Sequence, residues 1–363
     1  MTYIKKPYAG MSSSDYYAQQ IRGKIFDIRD AGCYVDGSHD DTANFQATIN
    51  EAATNAITTG SGGGTVIVPD TGQPCIIGGA LQTNVGGINY KSQLYVPQKN
   101  FNDQGRVNIK IKGETRPNFL QSAGIGNAIT PNTGARILST LVSSTPYSYV
   151  IASIGAATNF ESFNYNQCDI EDLQIQLTPD SSNRLTLGGI GFNNAANAII
   201  RNVSVFPFNI NLVNSGIPQN NCIGIAMPKA DCEHISIIDG CNVGGFESGF
   251  LLGEHTSLKD TVADCCLYGY NLGTNDHATH LVRIATYWCA NDIFVSGQCH
   301  FMIDHLQAEW ASQSKWYDDI YTILDPSSYG NGLIWYSIVQ ADVGWNNTKF
   351  RKSGGTGITS VGF

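Results

Sequence analysis

Acidic side chains recur at a spacing that could support acid–base chemistry. Glu254 and Asp276 are 22 residues apart, and each precedes a histidine, His255 or His277. If residues at this spacing stack on neighbouring strands, the two carboxylates lie about 5 Å apart, which suits the acid and the nucleophile of a retaining glycosidase. Because like charges directly opposite destabilise a sheet, the alternative is a solvated turn in which screening weakens the repulsion.

A second group of reactive side chains is predicted on the outer face of two neighbouring strands. Arg283 and Tyr287 point outward on one strand, and His305 and Glu309 lie beside them on the next. Glu309 could act as a general acid or base, and Arg283 could hold an anionic sugar. Tyr287 or His305 could be the base of an eliminative reaction. The alternative is an ordinary polar surface or a subunit contact.

All five tryptophans lie in the C-terminal part of the chain, from Trp288 to Trp345. Aromatic rings stack on sugar rings, so Trp310 and Trp316 are candidate substrate-binding residues. Tryptophan also favours subunit interfaces, and Trp288 stacked on Trp310 could instead fill the interior. The pattern therefore fits either a carbohydrate platform or a packing or trimer contact.

The elements that would position these residues recur with a period of about 22 residues in the second half of the chain. Short strands at this period cannot each bury a face alone, whereas the stacked coils of a solenoid share one continuous core. The sequence therefore predicts an all-β, three-sided parallel β-helix with rungs of about 22 residues. The aligned columns are Gly253, Asn275 and Gly297; Phe250, Leu272 and Phe294; Val262, Ile284 and Leu306; and Trp288 with Trp310.

One amphipathic helix is predicted near the N-terminus, from Asp41 to Ala56. Asp40, Asp41 or Thr42 can cap its first turn. A glycine cluster at residues 60–64 follows the helix and leads into a short strand at residues 65–69. The apolar face of the helix contains Phe45, Ile49, Ala52 and Ala53.

The segment around this helix resembles the N-terminal part of pectate-lyase-like β-helix proteins, a family that includes bacteriophage tailspikes and polysaccharide-degrading enzymes. The likeness lies in the run Phe26-Asp-Ile-Arg-Asp-Ala-Gly-Cys-Tyr-Val-Asp-Gly-Ser-His-Asp-Asp-Thr42 and in Gly62-Gly-Gly-Thr-Val-Ile-Val-Pro69. The family's usual Gly-Ala-x-Gly-Asp-Gly is altered here to Ala31-Gly-Cys-Tyr-Val-Asp-Gly37. The resemblance implies a right-handed single-stranded parallel β-helix with a short N-terminal capping α-helix. It also implies structural roles for Asp36, Asp40 and Asp41.

No linker of low complexity divides the chain, so one solenoid domain is expected. Residues 1–24 are predicted to form an N-terminal arm, which lacks the apolar residues for a core of its own. Residues 25–311 are assigned to the parallel β-helix. Residues 312–363 form an aromatic-rich C-terminal region that provides the last rungs, a cap or a trimer contact.

Composition narrows the possible partners. The chain carries 21 lysine and arginine residues against 30 aspartate and glutamate residues, a formal net charge of −9. Nucleic acid requires a basic surface to neutralise its phosphates, so no nucleic-acid partner is expected. No apolar run approaches the ~20 residues of a membrane span, and the first residues lack the apolar core of a secretory signal. We therefore expect no membrane insertion and no export by a signal peptide.

The sequence contains no motif for a cofactor or metal. Nucleotide, phosphate-loop and zinc motifs do not occur, so neither a cofactor nor a metal is expected. His277 and His280 have the spacing of metal ligands on a helix, but a strand turns them to opposite faces. The ten cysteines lack CxxC spacing and are expected to be mostly reduced and buried.

The resemblance to tailspikes and tail fibres also suggests a function. Proteins of that group are usually homotrimers that bind, and often cleave, a bacterial surface polysaccharide. We therefore expect a virion tail protein, made in the host cytoplasm, that contacts other tail proteins through residues 1–24 and cleaves its glycan by hydrolysis in preference to elimination. One alternative is a non-enzymatic receptor-binding or structural tail protein. Another is a bacterial polysaccharide-degrading enzyme.

Overall fold

The chain forms a three-sided right-handed parallel β-helix with one α-helix near its N-terminus, as predicted. The computed structural model describes residues 24–59, 63–83, 91–97, 108–117, 134–143, 145–154, 167–193, 198–209, 212, 216–229, 236–272, 276–295, 299–309, 334–338, 341–343, 350–352 and 358–362. Among these residues every strand pair is parallel except β4 (Gln82–Thr83) with β5 (Lys91–Tyr95). Each complete coil contributes one strand to each of three faces.

The strands of the first two faces follow one another directly along the chain. The first face contains β1 (Lys24–Asp27), β2 (Gly63–Val68), β6 (Asn108–Gly113), β9 (Gln167–Glu171), β12 (Ile199–Arg201), β15 (Ser236–Asp239), β18 (Thr256–Lys259), the first halves of β21 (Asp276–Tyr287) and β23 (Cys299–Glu309), β24 (Ile334–Ile338) and β27 (Ile358–Gly362). The second face contains β3 (Cys75–Ile77), β7 (Arg136–Ser139), β10 (Gln174–Leu177), β13 (Ser204–Pro207), β16 (Asn242–Gly244), β19 (Val262–Asp264), the second halves of β21 and β23, and β25 (Ala341–Val343).

The third face forms a separate hydrogen-bonded sheet. Besides β4 and β5, it contains β8 (Ser148–Ile154), β11 (Gly188–Asn193), β14 (Ile223–Lys229), β17 (Ser248–Leu252), β20 (Tyr268–Leu272), β22 (Asn291–Val295) and β26 (Phe350–Lys352). Strands β24 to β27 are distributed over the three faces and belong to the residues expected to form a C-terminal region. The division of the chain into three parts stays a prediction.

The core is a set of stacked apolar columns. Strand alternation sends every second side chain inward, and the parallel register places inward residues of successive coils directly over one another. Branched apolar side chains pack well on such a surface. The column of the first face consists of Val66, Ile111, Ile170, Ile200, Ile238, Leu258, Leu281 and Ile303, all with no exposed surface.

Left-handed residues turn the chain from the first face to the second. The N–H of Asp172 donates to the carbonyl of Arg201 at 3.0 Å, and the N–H of Asn202 donates to the carbonyl of Asp239 at 2.9 Å. Hydrogen bonds between coils thus continue through the corner and offset the cost of a positive φ. The corner residues are Asp172, Asn202, Gly240, Asp260, Arg283 and His305, with φ between 48° and 68°.

Glycine allows the second and third faces to approach closely. A Cβ on Gly224 would lie 3.0 Å from Cβ of Val243 on the second face. The same close approach recurs at Gly249, whose Cβ would lie 3.1 Å from Cβ of Ala263. In the next coil Asp292 takes this position, and Thr286 donates a 2.7 Å hydrogen bond to it inside the core.

The N-terminal end of the core is covered by α1 (Thr42–Thr59), which lies against β2. The predicted apolar face is buried, with Phe45 and Ile49 fully enclosed. Asp41 accepts hydrogen bonds from the backbone of Tyr34 at 2.7 Å and of Val35 at 3.0 Å.

The other two aspartates of the N-terminal motif also bond to backbone groups. Asp40 accepts from Thr42 and Gly78, at 3.0 Å each, and Asp36 accepts from Ser38 at 2.9 Å. These contacts are structural, as the resemblance implies.

The coils do not all have the same length. Ser248 pairs with Tyr268 and Tyr268 pairs with Asn291, so the first of these coils is shorter than the predicted period and the second is longer. The predicted column of Phe250, Leu272 and Phe294 therefore does not form, and Phe250 instead stacks on the ring of Tyr270 at 5.1 Å. The predicted spacing does occur between β21 and β23, where Ile284 pairs with Leu306. Turns of different length between similar strands explain the variation.

Eight cysteines are free and buried, as predicted for most of them. Cys232 and the side chain of Cys299 lie outside the described residues. Within the described part of the chain, no helix is long and apolar enough to cross a membrane.

We expect Asp41→Ala to destabilise the fold by about 2–4 kcal/mol, because it leaves two backbone N–H groups without their charged acceptor. The midpoint of urea unfolding measures this loss. Glu51→Ala, at an exposed position of the same helix, is the matched control and should change stability by less than about 0.5 kcal/mol. An equal effect of both substitutions would contradict the structural role of Asp41.

Candidate functional site

The outer surface of the first face carries a row of charged side chains, which we call the charged ladder: Lys110, Asp169, Glu171, Arg201 and Asp239. On β9, Cys168 and Ile170 point into the core, so Asp169 and Glu171 point outward. The register places Lys110 beside Asp169 on one side and Arg201 beside Glu171 on the other. Five charged side chains of both signs thus lie close together on four successive coils.

Glu171 lies between two cations. Its Oε1 is 2.9 Å from Nζ of Lys110 and 3.8 Å from Nη1 of Arg201. Arg201 is shared, because its Nε lies 3.3 Å from Oδ2 of Asp239. Glu171 is 8% exposed, so the two cations lie beside a carboxyl group that is shielded from water.

Asp169 has a different environment on the same strand. Burial raises its pKa to about 6, although the charge of Lys110 and a hydrogen bond from the N–H of Ile199 favour the carboxylate. Lys110 is more distant here, with Nζ 4.0 Å from Oδ2. The Cα atoms of Asp169 and Glu171 are about 7 Å apart along the strand. A carboxyl group whose pKa is raised towards neutrality, beside a second carboxyl group held between two cations, has the arrangement of a general acid and its partner.

Two predicted substrate-binding residues lie at the corner between the first and second faces. Pairing of Val282 with Asp304 and of Ile284 with Leu306 places Arg283 beside His305. Arg283 donates to both oxygens of Asp260, at 2.6 Å each.

This ion pair occupies the guanidinium group of Arg283. Its hydrogen bonds lower the pKa of the Asp260 carboxyl. An anionic sugar would therefore share the guanidinium group of Arg283 with a carboxylate of the chain.

Tyr287 lies on the outer surface of the second face, between Asp264 and the backbone of Glu309. Asp264 is 9% exposed, and burial raises its pKa to about 6. Asp264 and Asp304 both lie in strands and point outward, because the preceding residues Ala263 and Ile303 are buried in the core. Asp264 pairs with the outward-facing Tyr287 because this coil is longer than the predicted period, and the left-handed His305 interrupts the alternation after Asp304.

Glu254 and Asp276 do not share the predicted column. Glu254 lies in a turn before β18, and Oε1 of its side chain is 4.0 Å from Nδ1 of His255. In the strand that follows, Ser257 pairs with His280, whereas the predicted period would place it beside Thr279. Asp276 begins β21, and its side chain lies outside the described residues. The turn position of Glu254 matches the solvated alternative.

The remaining predicted site residues are not described as side chains. The backbone of Glu309 ends β23, and Trp310 and Trp316 lie outside the described residues. These three residues, with Glu254, Asp276, Arg283, Tyr287 and His305, stay predictions as site residues.

Sequence reasoning missed the charged ladder. Charges at alternate positions of β9 are a signal for an outer strand face, but they do not show which strands are neighbours. Asp169 pairs with Lys110 on one side and with Ile199 on the other, and both partners are remote from it along the chain. Among the described residues no group of three or more His, Cys, Asp or Glu side chains could hold a metal ion.

Comparison with models of known protein families finds no match, and neither does comparison with curated proteins. Among solved structures, the chain is similar to the phiAB6 tailspike, which was crystallised with oligosaccharides of Acinetobacter baumannii surface polysaccharide. The TM-score is 0.43 and the identity 11%, and the alignment covers 95% of this chain and 50% of that one. It is similar to endo-xylogalacturonan hydrolase from Aspergillus tubingensis, with a TM-score of 0.39, 10% identity and coverage of 93% and 92%.

A third similar structure is ORF18 of Geobacillus virus E2, with a TM-score of 0.34, 12% identity and coverage of 93% of this chain and 64% of that one. The chain thus spans about half of the tailspike and less than two thirds of ORF18. At these identities and TM-scores, the likeness does not determine what this chain binds.

The raised pKa of Asp169 predicts a pH dependence of stability. A folded-state pKa of about 6, above the usual 3.8, means that the folded state binds the proton more tightly, so stability falls as pH rises between these values. Asp169→Asn should remove this loss. Between pH 4 and pH 7.5, urea unfolding should show the variant gaining about 1–3 kcal/mol relative to the unmodified protein.

The control for this measurement is Asp180→Asn. Burial opposes ionisation of Asp180, but hydrogen bonds from Arg184 and Ser182 lower its pKa overall. This variant should therefore lose stability relative to the unmodified protein as pH rises through the acid range. The same sign of change in both variants would contradict the assignment to Asp169.

Proposed function

We propose that this protein binds an extended polysaccharide along the outer surface of the first face and hydrolyses it with Asp169 and Glu171. The observation that carries this proposal is the pairing of a carboxyl group with a pKa of about 6 and a carboxylate held between two cations on one strand. Two carboxyl groups in different environments are the common requirement of glycoside hydrolysis.

In this mechanism Asp169 is the general acid. Its proton passes to the glycosidic oxygen as the bond between that oxygen and the anomeric carbon breaks. Glu171 acts on the anomeric carbon, either directly or by taking a proton from the attacking water, and both routes add one water across the bond. Lys110 and Arg201 hold Glu171 in place through their contacts with its carboxylate.

The surface on either side of this pair suits a linear polymer. Outward positions of successive coils lie about 4.8 Å apart. The row continues from Arg201 through Asp239 and Lys259 to the apolar Val282 and then Asp304. The corner residues Arg283 and His305 run beside the far end of this row. A polysaccharide parallel to the helix axis would meet charged and hydrogen-bonding groups on each coil.

The N-terminal motif supports a more specific proposal. Its resemblance to tailspikes favours a virion tail protein whose glycan is a bacterial surface polysaccharide and whose active form is a homotrimer. The second candidate is a receptor-binding tail protein without enzymatic activity. The ion pairs of Glu171 are equally expected in this alternative, because a purely structural ladder would form the same contacts.

We expect Asp169→Asn and Glu171→Gln each to lower the rate of cleavage by about 10²- to 10⁴-fold, because each removes one of the two groups that move protons or attack the sugar. The assay is the release of reducing ends from a panel of bacterial capsule and lipopolysaccharide glycans. Asp180→Asn, which removes a carboxylate from an ion pair away from the charged ladder, is the control and should keep full activity.

The outcomes of this assay separate the candidate functions. Cleavage at an unchanged rate by both variants would exclude Asp169 and Glu171 as the catalytic pair. Products that contain unsaturated sugars would indicate elimination. Arg283, Tyr287 and His305 would then be tested. Binding of a glycan without cleavage would favour the receptor-binding protein.

We expect a trimer in solution, because the N-terminal motif resembles that of tailspikes and the C-terminal part is rich in tryptophan, which favours interfaces. Light scattering coupled to size-exclusion chromatography measures the mass directly against the 39.2 kDa of one chain. A stable monomer at micromolar concentration would contradict this expectation.

A further inference from the structure

A column of alternating charge runs along the outer surface of the first face. Lys112, Glu171, Arg201, Asp239 and Lys259 pair in register on five successive coils. They point outward, because the residue that precedes each of them is buried in the core. We call these five residues the alternating column, and three of them also belong to the charged ladder.

The cations of this column occupy every second coil. Because neighbouring coils are about 4.8 Å apart, Lys112, Arg201 and Lys259 follow one another at intervals of about 9.6 Å. Two sugar units of an extended polysaccharide span about the same length. The alternation ends at an apolar residue on each side, since Ile67 pairs with Lys112 and Val282 pairs with Lys259. The column therefore has the period of a two-sugar repeat over a defined length.

The cations of the alternating column lie further out than its carboxylates. The side chains of Lys112, Arg201 and Lys259 are 40%, 41% and 49% exposed. Those of Glu171 and Asp239 are only 10% and 27% exposed. A ligand that approaches this surface from solution therefore meets positive charge first.

The ion pairs of the two lysines are long. Nζ of Lys112 is 3.5 Å from Oδ2 of Asp172, and Nζ of Lys259 is 4.0 Å from Oδ2 of Asp260. Exposed ion pairs contribute little to stability, because water screens the charges and both side chains lose conformational freedom. A carboxylate of a ligand can therefore bind these ammonium groups in competition with the chain's own acids.

We propose that the alternating column binds an acidic polysaccharide that carries one carboxylate per two sugar units. The carboxylates of the ligand bind Lys112, Arg201 and Lys259. The neutral sugars between them lie over Glu171 and Asp239, whose carboxylates accept hydrogen bonds from hydroxyl groups. This inference names the substrate class of the proposed function, and it rests on that function for the identification of the ligand as a polysaccharide.

An apolar strip beside the alternating column supports this assignment. Ile199 and Ile237 point outward, are partly exposed and pair with each other. Ile199 also pairs with Asp169, so the strip begins at the proposed general acid. The faces of a pyranose ring carry apolar C–H groups, and its polar groups lie around the edge. A sugar on this strip would pack a ring face on isoleucine and direct its carboxylate towards the alternating column.

The test is isothermal titration of the full chain with three hexasaccharides. Hyaluronan carries one carboxylate per two sugars, β-linked glucuronan carries one per sugar, and cellohexaose is neutral. We expect hyaluronan to bind most tightly and cellohexaose not to bind. Glucuronan should bind more weakly than hyaluronan, because its additional carboxylates would lie over Glu171 and Asp239. Added salt should weaken the binding of hyaluronan, since exposed charges are screened.

Two lysine variants test the position of the ligand. Lys112→Gln and Lys259→Gln should each weaken hyaluronan binding by about threefold to tenfold, because each removes one charged contact. Both substitutions are at the surface, so the fold is retained. The loss in the double variant should be the product of the two single losses, because one hexasaccharide spans both positions. Arg184→Gln, which removes an exposed arginine outside the column, is the control and should bind hyaluronan normally.

Each other outcome would overturn part of the proposal. Equal binding of cellohexaose would overturn the requirement for charge, and equal or tighter binding of glucuronan would overturn the two-sugar period. Absence of hyaluronan binding, or normal binding by either lysine variant, would overturn the site.

Failure of this inference can be told from failure of the proposed function. Cleavage of a neutral glycan that depends on Asp169 and Glu171 would leave the proposed function intact without an acidic ligand. Binding of hyaluronan by a chain that cleaves no glycan would leave the alternating column as a binding site without catalysis.

Discussion

Each coil of this solenoid is held by its neighbours, because the backbone of every inner strand pairs on both sides with strands from other coils. This pairing sets a spacing of about 4.8 Å between coils and places equivalent residues of successive coils over one another. In the core the consequence is a column of branched apolar side chains from Val66 to Ile303. The two ends lack one neighbour each, and at the N-terminal end α1 and the carboxylate of Asp41 take over that role.

The same stacking governs the corners and the close contact between faces. A residue such as Asn202 adopts a left-handed conformation because its N–H and carbonyl continue the hydrogen bonding between coils. Gly224 and Gly249 leave room where two faces meet. Asp292 interrupts the glycine column with a buried carboxylate, and Thr286 in the adjacent column provides its hydrogen bond.

On the outer surface, stacking produces two contrasting polar rows. In the charged ladder, Glu171 and Arg201 neutralise one another across coils, and burial acts mainly on Asp169. On the second face, Arg136, Gln174 and Ser204 form a row that is buried and carries a single charged side chain.

The sequence by itself determined what depends on consecutive residues. The spacing of Phe45 and Ile49 predicted a helix with one buried face, and short alternating strands predicted a solenoid. Only the tertiary structure decided which strands are neighbours. Many more residues lie between the paired Lys110 and Asp169 than between the paired Ser248 and Tyr268. Each pair nevertheless joins adjacent strands of one face. Turn length and left-handed corners set that register, and neither follows from a local pattern. The column of Glu254 over Asp276 therefore failed, while the acid–base pair on β9 became visible only in the folded chain.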